Sequence, residues 1–334
     1  MIAIFEPFFP WSDIAIVQFR LVAHRRELVL AELCQILPHL KPRQFNKGAY
    51  LLGAHCEGPW LNPSKRGAHG QHYALLFGRN NLNYTDATLM QIPSKTSTED
   101  TYGDSDGLSA IKLVTLAPEL PGSTALISTL SQHHAIVVSL GHSSADYDSG
   151  LHALRAGAKS LTHVFNAMSP LHHRLPGLAG LIAASQAPFF SIIADGVHLH
   201  PASLTMAFRS NPERCILITD SIEMAGMPDG IYPGHAQVPH RQRKEGNRVT
   251  IDGTETLVGS CSTIEDCVKN LKRWSGCSLA EAVRCATENI AELMGEKKRG
   301  VIEQDRRADF VILDDEGTVN QTWIGGLKIF DKSL

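Results

Sequence analysis

The sequence has few of the features that mark secreted, membrane-embedded or nucleic-acid-binding proteins. Only 19% of its 334 residues are charged and the net charge is −3, so no basic surface for nucleic acid is expected. The seven cysteines are scattered and include no CxxC pair, which argues against a disulfide framework and a zinc knuckle. No stretch approaches the ~18 apolar residues of a membrane span, and no signal peptide is recognisable. We therefore expect a cytoplasmic protein without nucleic-acid or membrane partners.

Apolar residues and histidine, by contrast, are abundant. Apolar residues make up 43% of the chain, which is enough for a large buried core and excludes disorder as the main state. The sequence contains sixteen histidines. Because histidine is the commonest metal ligand and titrates near neutral pH, this abundance is compatible with a metal site but does not prove one.

Six short apolar runs, rich in β-branched residues, alternate with segments of helical pattern. The runs lie at 51–54, 111–116, 135–140, 160–162, 189–193 and 215–219. Helices are predicted over 149–158, from Pro201 to Arg209, over 262–274 and over 278–294. Ser278 and Glu281 have the spacing of a capping box at the start of the last one. Such alternation is typical of a parallel sheet covered on both faces.

Five of the six runs lead into His, Asp or Glu at their carboxyl ends. In a (β/α) barrel the active site lies at this edge, whereas an open doubly wound sheet would concentrate the chemistry at one switch point. The sequence therefore predicts an α/β fold with a TIM-like (β/α) barrel. A closed barrel of this type needs eight strands. Because the first two are not found, the barrel is expected to be incomplete at its N-terminus.

The remaining segments suggest three regions. Residues 1–47 form an atypical N-terminal segment with a helix predicted over 25–37, and residues 48–299 form the barrel. Residues 300–334 are expected to add strands of a small β-sandwich module, at 308–313 and 322–329. An exposed hairpin with a solvated basic middle is predicted over 235–253.

Three of the residues at strand ends form a candidate metal site. Glu57, His142 and His163 each end an apolar run or follow it closely, so all three should meet at the mouth of the barrel. Three N or O ligands with one open position are typical of a catalytic divalent ion, which activates water and polarises a carbonyl. A single histidine near a strand end is more often structural, but three such residues at three strand ends favour the metal site.

Further residues at the same edge have more than one interpretation. Asp220 ends the sixth run, where a carboxylate can move a proton from water to a leaving amine or merely shape a turn. His198 lies just past the fifth run and either binds metal or binds substrate. Arg174, in a loop with two histidines, suits an anion such as phosphate but is as readily a surface residue. Asp195 precedes Gly196 and is expected only to shape a turn.

Six ordered stretches of the chain resemble one family closely. They are GAHCEGPW at 53–60 with KRGAH at 65–69, VSLGHSSAD at 138–146, THVFNAM at 162–168 with HRLPG at 173–177, IADGVHLHP at 193–201, ITD at 218–220 and Gly259–Ser260. Together they resemble the N-acetylglucosamine-6-phosphate deacetylases of the amidohydrolase superfamily, from about residue 48 to the C-terminus.

The resemblance implies a role for each matching residue. Glu57, His142 and His163 are similar to the family's metal ligands, and Asp220 is similar to its general acid/base. His69 is similar to the residue that meets the acetamido carbonyl during catalysis. The substrate contacts implied are Ala68, His69, Asn166, Ala167, Arg174 and His198.

The resemblance also implies a reaction, a cofactor and a partner. The expected reaction is hydrolysis of N-acetylglucosamine 6-phosphate to glucosamine 6-phosphate and acetate, a step in amino-sugar catabolism. One divalent ion, Zn²⁺ or Fe²⁺, is the expected cofactor, and a homodimer is the expected assembly.

The sequence departs from the family at its front. Family members normally have a first barrel strand that ends in a His-x-His or Gln-x-Asn pair, followed by a second strand of Gly-Val-Thr-Ser type, and neither is found in residues 1–47. At most one catalytic metal is therefore expected. Two alternatives remain open: a truncated and catalytically impaired isoform or gene-model fragment, and an amidohydrolase that acts on another N-acyl sugar.

Overall fold

A parallel sheet forms the centre of the fold. The computed structural model describes residues 14–20, 41–44, 50–65, 67, 105–234 and 238–333, with the backbone alone at 14–20, 43–44 and 105–106. Neighbouring strands follow chain order: Ile14–Arg20 (β1), Tyr50–Glu57 (β3), Ile111–Leu116 (β4), Val137–Leu140 (β5), Ser160–Leu161 (β6), Phe189–Ile193 (β7) and Cys215–Ile218 (β8). The two-residue strand Arg43–Gln44 (β2) pairs antiparallel with β3. All seven parallel strands therefore end at one edge of the sheet.

Helices connect the strands and cover the sheet. Their bounds are Ser105–Ala110 (α1), Ser123–Ser128 (α2), Tyr147–Ala156 (α3), Pro201–Ser210 (α4), Ile264–Ser275 (α5), Leu279–Ala286 (α6) and Glu288–Met294 (α7). Short 3-10 helices lie at Pro63–Lys65 and Leu178–Ala183, and a short π-helix lies at Thr129–His133. None of the helices in the described ranges has the length and apolar character that a bilayer crossing requires.

The helix ends follow the local sequence. Pro201 occupies the first turn of α4, where its missing N–H costs nothing. Capping boxes begin α5 at Thr263 and α6 at Ser278, the second of them as predicted. The predicted helix over 278–294 is divided at Thr287 into α6 and α7.

The main core lies between the sheet and the helices. All five residues of β7 and all four of β5 are buried, as expected for strands that are covered on both faces. Phe190, Leu140 and Leu161 are among the largest side chains that are fully buried. The apolar face of α5 adds Cys267, Val268 and Leu271 to the same core. This core holds the strand ends in place below the candidate site.

Two antiparallel sheets follow the parallel one. The first contains Gly230–Tyr232 (β9), Gln242–Glu245 (β10), Arg248–Ile251 (β11) and Leu257–Ser260 (β12). Its β10–β11 pair is the hairpin predicted within 235–253, but the predicted solvated middle is wrong for Gln242 and Lys244, which are buried. The second contains Phe310–Leu313 (β13), Val319–Ile324 (β14) and Leu327–Asp331 (β15). The single strand predicted over 322–329 is therefore a hairpin, because the chain turns at Gly325 and Gly326, both with positive φ.

The N-terminal segment differs from the sequence expectation. The first two barrel strands are not found from the sequence in residues 1–47, but one strand of the parallel sheet does lie there, because β1 pairs in parallel with β3 over its whole length. The described strands still form an open run from β1 to β8, which agrees with an incomplete barrel. The helix predicted over 25–37 lies outside the described residues. The division into 1–47, 48–299 and 300–334 stays a prediction.

Asn289 offers a test of how α7 is attached to the sheet. Its side chain is fully buried, and Nδ2 donates to the Cys215 carbonyl at 2.6 Å and to the Pro212 carbonyl at 3.0 Å. Asn289→Ala would leave two carbonyls without this donor, so we expect a loss of about 2 kcal/mol in the free energy of unfolding. Thermal or chemical denaturation measures it. Gln304→Ala, which removes an exposed amide, is the control, and equal destabilisation by the two changes would contradict the expectation.

Candidate active site

Three buried side chains meet at the carboxyl edge of the parallel sheet. Glu57 is the last residue of β3, and His142 and His163 are each the second residue after their strands, β5 and β6. Their exposed fractions are 0%, 5% and 4%. The parallel topology therefore brings together the three residues predicted as metal ligands, although 85 and 106 positions separate Glu57 from the two histidines.

The potential ligand atoms of these residues lie close together. Glu57 Oε1 lies 3.0 Å from His142 Nε2 and 3.1 Å from His163 Nε2, and the two Nε2 atoms are 3.0 Å apart. Ligands of a tetrahedral Zn²⁺, at roughly 2.0–2.1 Å from the ion, would be about 3.3 Å apart. The spacing therefore fits a shared divalent ion.

The hydrogen bonds of the cluster favour the same interpretation. His142 Nδ1 lies 2.8 Å from the Lys65 carbonyl, which can only accept, so Nδ1 carries the proton and Nε2 is left for an ion. Burial lowers the pKa of His163, but the hydrogen bond and charge of Glu57 outweigh this and raise it. The buried Glu57 carboxylate thus favours a positive charge beside the two histidine rings, and a divalent cation would supply it.

A layer of buried polar side chains supports the cluster from below. His55 Nε2 and the Thr115 hydroxyl are 2.8 Å apart, and the Thr115 hydroxyl lies 2.8 Å from that of Thr162. The hydrogen-bonded row ends at Ser139, whose hydroxyl lies 2.6 Å from the Thr162 hydroxyl. Burial lowers the pKa of His55 to about 4, so its ring is neutral and joins this network as a hydrogen-bonding group. Sequence reasoning missed the layer, because hydroxyl residues within apolar strands give no distinctive pattern.

The backbone is strained where the site residues leave their strands. His142, His163 and Asp220 have φ values of 48°, 33° and 45°, and Phe165 and Ala167 have 75° and 49°. Residues with a Cβ rarely adopt such conformations, which cluster at functional sites when the surrounding structure enforces them. Two hydrogen bonds help to hold these conformations. The Ser191 hydroxyl accepts the His163 N–H at 2.8 Å, and the Ala167 carbonyl accepts the Ser143 N–H at 3.0 Å.

Glu119 joins three of the loops around the site. It lies beyond β4, and its carboxylate accepts from Asn62 Nδ2 at 2.8 Å, the Ser143 hydroxyl at 2.6 Å and the Ser144 N–H at 2.7 Å. These donors belong to the loops after β3 and β5. Because His142 immediately precedes Ser143, this carboxylate helps to fix the loop that presents a ligand. The sequence analysis gave Glu119 no role, because its three partners lie in loops that are distant along the chain.

The loops after β7 and β8 bring three more side chains, Asp195, His198 and Asp220, to the same edge. Asp195 Oδ2 accepts from His198 Nδ1 at 2.6 Å, and His198 Nε2 lies 3.5 Å from Asp220 Oδ2. Burial lowers the pKa of His198, but the hydrogen bonds and charges of Asp195 and Asp220 outweigh it and raise the pKa to about 9. Asp220 also acts through its charge on His163, raising the pKa of that ring. Asp220 and His198 therefore lie beside the Glu57, His142 and His163 cluster.

The structure places the other predicted residues less completely. Asn166 lies three residues after His163, in the loop after β6. Its N–H donates to the His163 carbonyl, and its buried side-chain nitrogen has no partner among the described residues. Ala167 has the left-handed backbone noted above. Arg174 lies exposed in the loop after Met168. Ala68 and His69 lie outside the described residues.

Comparisons with known proteins agree with this geometry. The amidohydrolase family model matches residues 51–328. The N-acetylglucosamine-6-phosphate deacetylase of Danio rerio is 37% identical over 306 residues, which covers 89% of this chain and 70% of the relative.

Solved structures agree as well. A mutant N-acetyl-D-glucosamine-6-phosphate deacetylase of Mycobacterium smegmatis, in complex with N-acetyl-D-glucosamine-6-phosphate, superposes with a TM-score of 0.75 at 29% identity, covering 95% of this chain and 76% of that chain. The enzyme of Thermotoga maritima gives 0.76 at 26% identity, with 95% and 78% covered. This chain belongs to the amidohydrolase family and, within it, to the N-acetylglucosamine-6-phosphate deacetylases.

Proposed function

We propose that this protein hydrolyses N-acetylglucosamine 6-phosphate to glucosamine 6-phosphate and acetate. The observation that supports this most strongly is the buried cluster of Glu57, His142 and His163 with Asp220 beside it, in a chain of this family. The reaction breaks the amide C–N bond, forms a C–O bond from water to the acetyl carbon, and moves one proton from the water to the amine.

Glu57, His142 and His163 are the residues that would hold a divalent ion, with Zn²⁺ or Fe²⁺ as the expected metal. When bound, such an ion lowers the pKa of water and polarises an amide carbonyl. The protein's own contribution is to keep the three donors fixed in a nearly dry site, through the Lys65 carbonyl and the polar layer below.

Asp220 is the group that moves the proton. Its carboxylate lies near the cluster with 13% of its side chain exposed, so water and substrate can reach it. An Asp220 oxygen accepts the proton of the attacking water and then donates it to the amine nitrogen as the C–N bond breaks. His69 is proposed to stabilise the oxyanion that develops on the acetyl oxygen.

The sugar phosphate is proposed to lie over the loops after β6 and β7. His198 presents Nε2 at the site, Asn166 and the backbone of Ala167 offer amide groups, and Arg174 has the bidentate geometry that suits phosphate. Ala68 and His69 complete the proposed set of contacts. The homodimer and the cytoplasmic location stay predictions.

The direct test is acetate release by the purified, metal-loaded protein. We expect release from N-acetylglucosamine 6-phosphate and much slower release from unphosphorylated N-acetylglucosamine, because the phosphate contacts are lost. Faster turnover of N-acetylgalactosamine 6-phosphate would indicate the other N-acyl sugar alternative. A folded protein that releases no acetate at any metal loading would support the catalytically impaired alternative and contradict the proposal.

Asp220→Asn tests the proton-transfer role. The amide cannot accept a proton from water, so we expect kcat to fall by roughly 10²- to 10⁴-fold while the metal content stays unchanged. Acetate release and metal analysis of the same preparation measure the two quantities. Asp252→Asn is the control for the loss of charge, because this carboxylate directly follows β11 and pairs with Arg243. Loss of metal in the Asp220 variant would contradict the assigned role.

Glu57→Gln tests the metal site itself. We expect the unchanged protein to retain about one zinc ion per chain after dialysis, because three protein ligands and one open position form a single site. The substitution replaces the charged ligand by a neutral amide, so this content should fall to a small fraction. Glu303→Gln, at an exposed carboxylate, should retain the metal. Equal zinc content in both variants would show that Glu57 is no ligand.

A further inference from the structure

Asp195, which the sequence suggested only as a turn residue, is one of the most completely hydrogen-bonded carboxylates near the site. Its side chain is fully buried. Oδ1 accepts the backbone N–H groups of Val197 at 2.8 Å and His198 at 2.9 Å, and Oδ2 accepts the ring Nδ1–H of His198 at 2.6 Å. One carboxylate thus fixes both the backbone and the ring of His198.

The loop that carries Asp195 is itself held from two other elements. Asn270 of α5 donates its amide to the Ala194 carbonyl at 2.8 Å, and Asn247, in the β10–β11 turn, donates to the Asp195 carbonyl at 3.2 Å. Gly196 has φ of 75°, which lets the chain turn back directly after Asp195. Two amides and a glycine turn therefore hold the position of this carboxylate before any ligand binds.

We propose that Asp195 is a positioning residue, which holds the His198 ring with Nδ1–H on its carboxylate and Nε2–H directed at Asp220 and the substrate. This inference rests on the proposed function for its catalytic consequence. With Nδ1 committed to Asp195, only Nε2 can face the reaction centre, and it lies 3.5 Å from Asp220 Oδ2. Among the described residues, the ionisable groups that face His198 are Asp195 on its own loop and Asp220 after β8, with the Cys267 thiol of α5 behind Asp195.

Asp195→Asn removes the acceptor for Nδ1–H and keeps an oxygen for the two backbone N–H groups. The amide NH₂ would then face Nδ1, so the ring is forced into the opposite tautomer and its cationic form is disfavoured. We expect kcat/KM for the sugar phosphate to fall about 10- to 100-fold at neutral pH. The alkaline limb of its pH profile should move to lower pH than in the unchanged protein, because the Asp195 carboxylate that raises the pKa of His198 is gone.

Asp314→Asn is the matched control. Its Oδ1 also accepts two backbone N–H groups, from Glu316 at 3.1 Å and Thr318 at 2.8 Å, but it lies in the β13–β14 turn, away from the site. A purely structural role for Asp195 would lower thermal stability without moving the pH profile. Identical profiles for the two variants would overturn the proposal.

His198→Gln provides the second comparison. If Asp195 acts through His198, adding Asp195→Asn to His198→Gln should lower kcat/KM by less than twofold more, because the ring that Asp195 positions is already gone. A full additional loss, equal to that of the single variant, would show that Asp195 acts by another route and would overturn the proposal.

A titration without substrate separates this proposal from the proposed function. In the metal-loaded protein, the His198 ring resonance, assigned by its absence in His198→Gln, should titrate at the higher pH that the Asp195 carboxylate on Nδ1–H imposes on its pKa. In Asp195→Asn it should titrate at lower pH. The measurement needs no enzyme activity. Titration of the ring at the same pH in the unchanged protein and in Asp195→Asn would contradict the positioning role, even if the enzyme releases acetate.

Discussion

The completely buried carboxylate of Glu57 is the constraint on which the arrangement of this site depends. An ionised carboxylate loses most of its hydration at such a position and is tolerated only with a positive partner. Two imidazole nitrogens lie within 3.1 Å of one carboxylate oxygen, and they balance its charge by holding a proton or a cation between them and the oxygen. The loops after β5 and β6 are therefore shaped to deliver Nε2 atoms to one point.

Placing the Nε2 atoms of His142 and His163 beside Glu57 has a conformational cost, and the hydrogen bonds around the site offset it. His142 and His163 both have positive φ, where a side chain with a Cβ is disfavoured by about 1–3 kcal/mol. Glycine would remove the strain but has no imidazole. Instead, the Ser191 hydroxyl holds the backbone of His163, and Glu119 holds the residues that follow His142. Strain and support are thus two consequences of placing histidines where the chain turns sharply.

Sequence reasoning found what depends on strand order and missed what depends on contacts across the chain. Glu57, His142 and His163 could be found because parallel strands end at one edge, and each residue ends or closely follows an apolar run. The strand Ile14–Arg20 was missed because no chemistry-bearing residue pair follows it. The role of Asp195 was missed because Asp before Gly is typical of a turn, and its contact with a ring three residues later is visible only in three dimensions.

Asp195 and Asp220 lie on either side of the His198 ring in different environments, and these environments suit them to the different roles proposed for them. Burial raises the pKa of Asp195, but the hydrogen bonds from His198 and two backbone N–H groups outweigh it, so its pKa lies below the ordinary value. Such a carboxylate is a poor proton acceptor and a good anchor. Asp220 is more exposed, and its Oδ2 lies at the longer distance of 3.5 Å from the same ring. Since a general base must accept a proton from water, Asp220 is the aspartate of this pair suited to proton transfer, and Asp195 is suited to holding the ring between them.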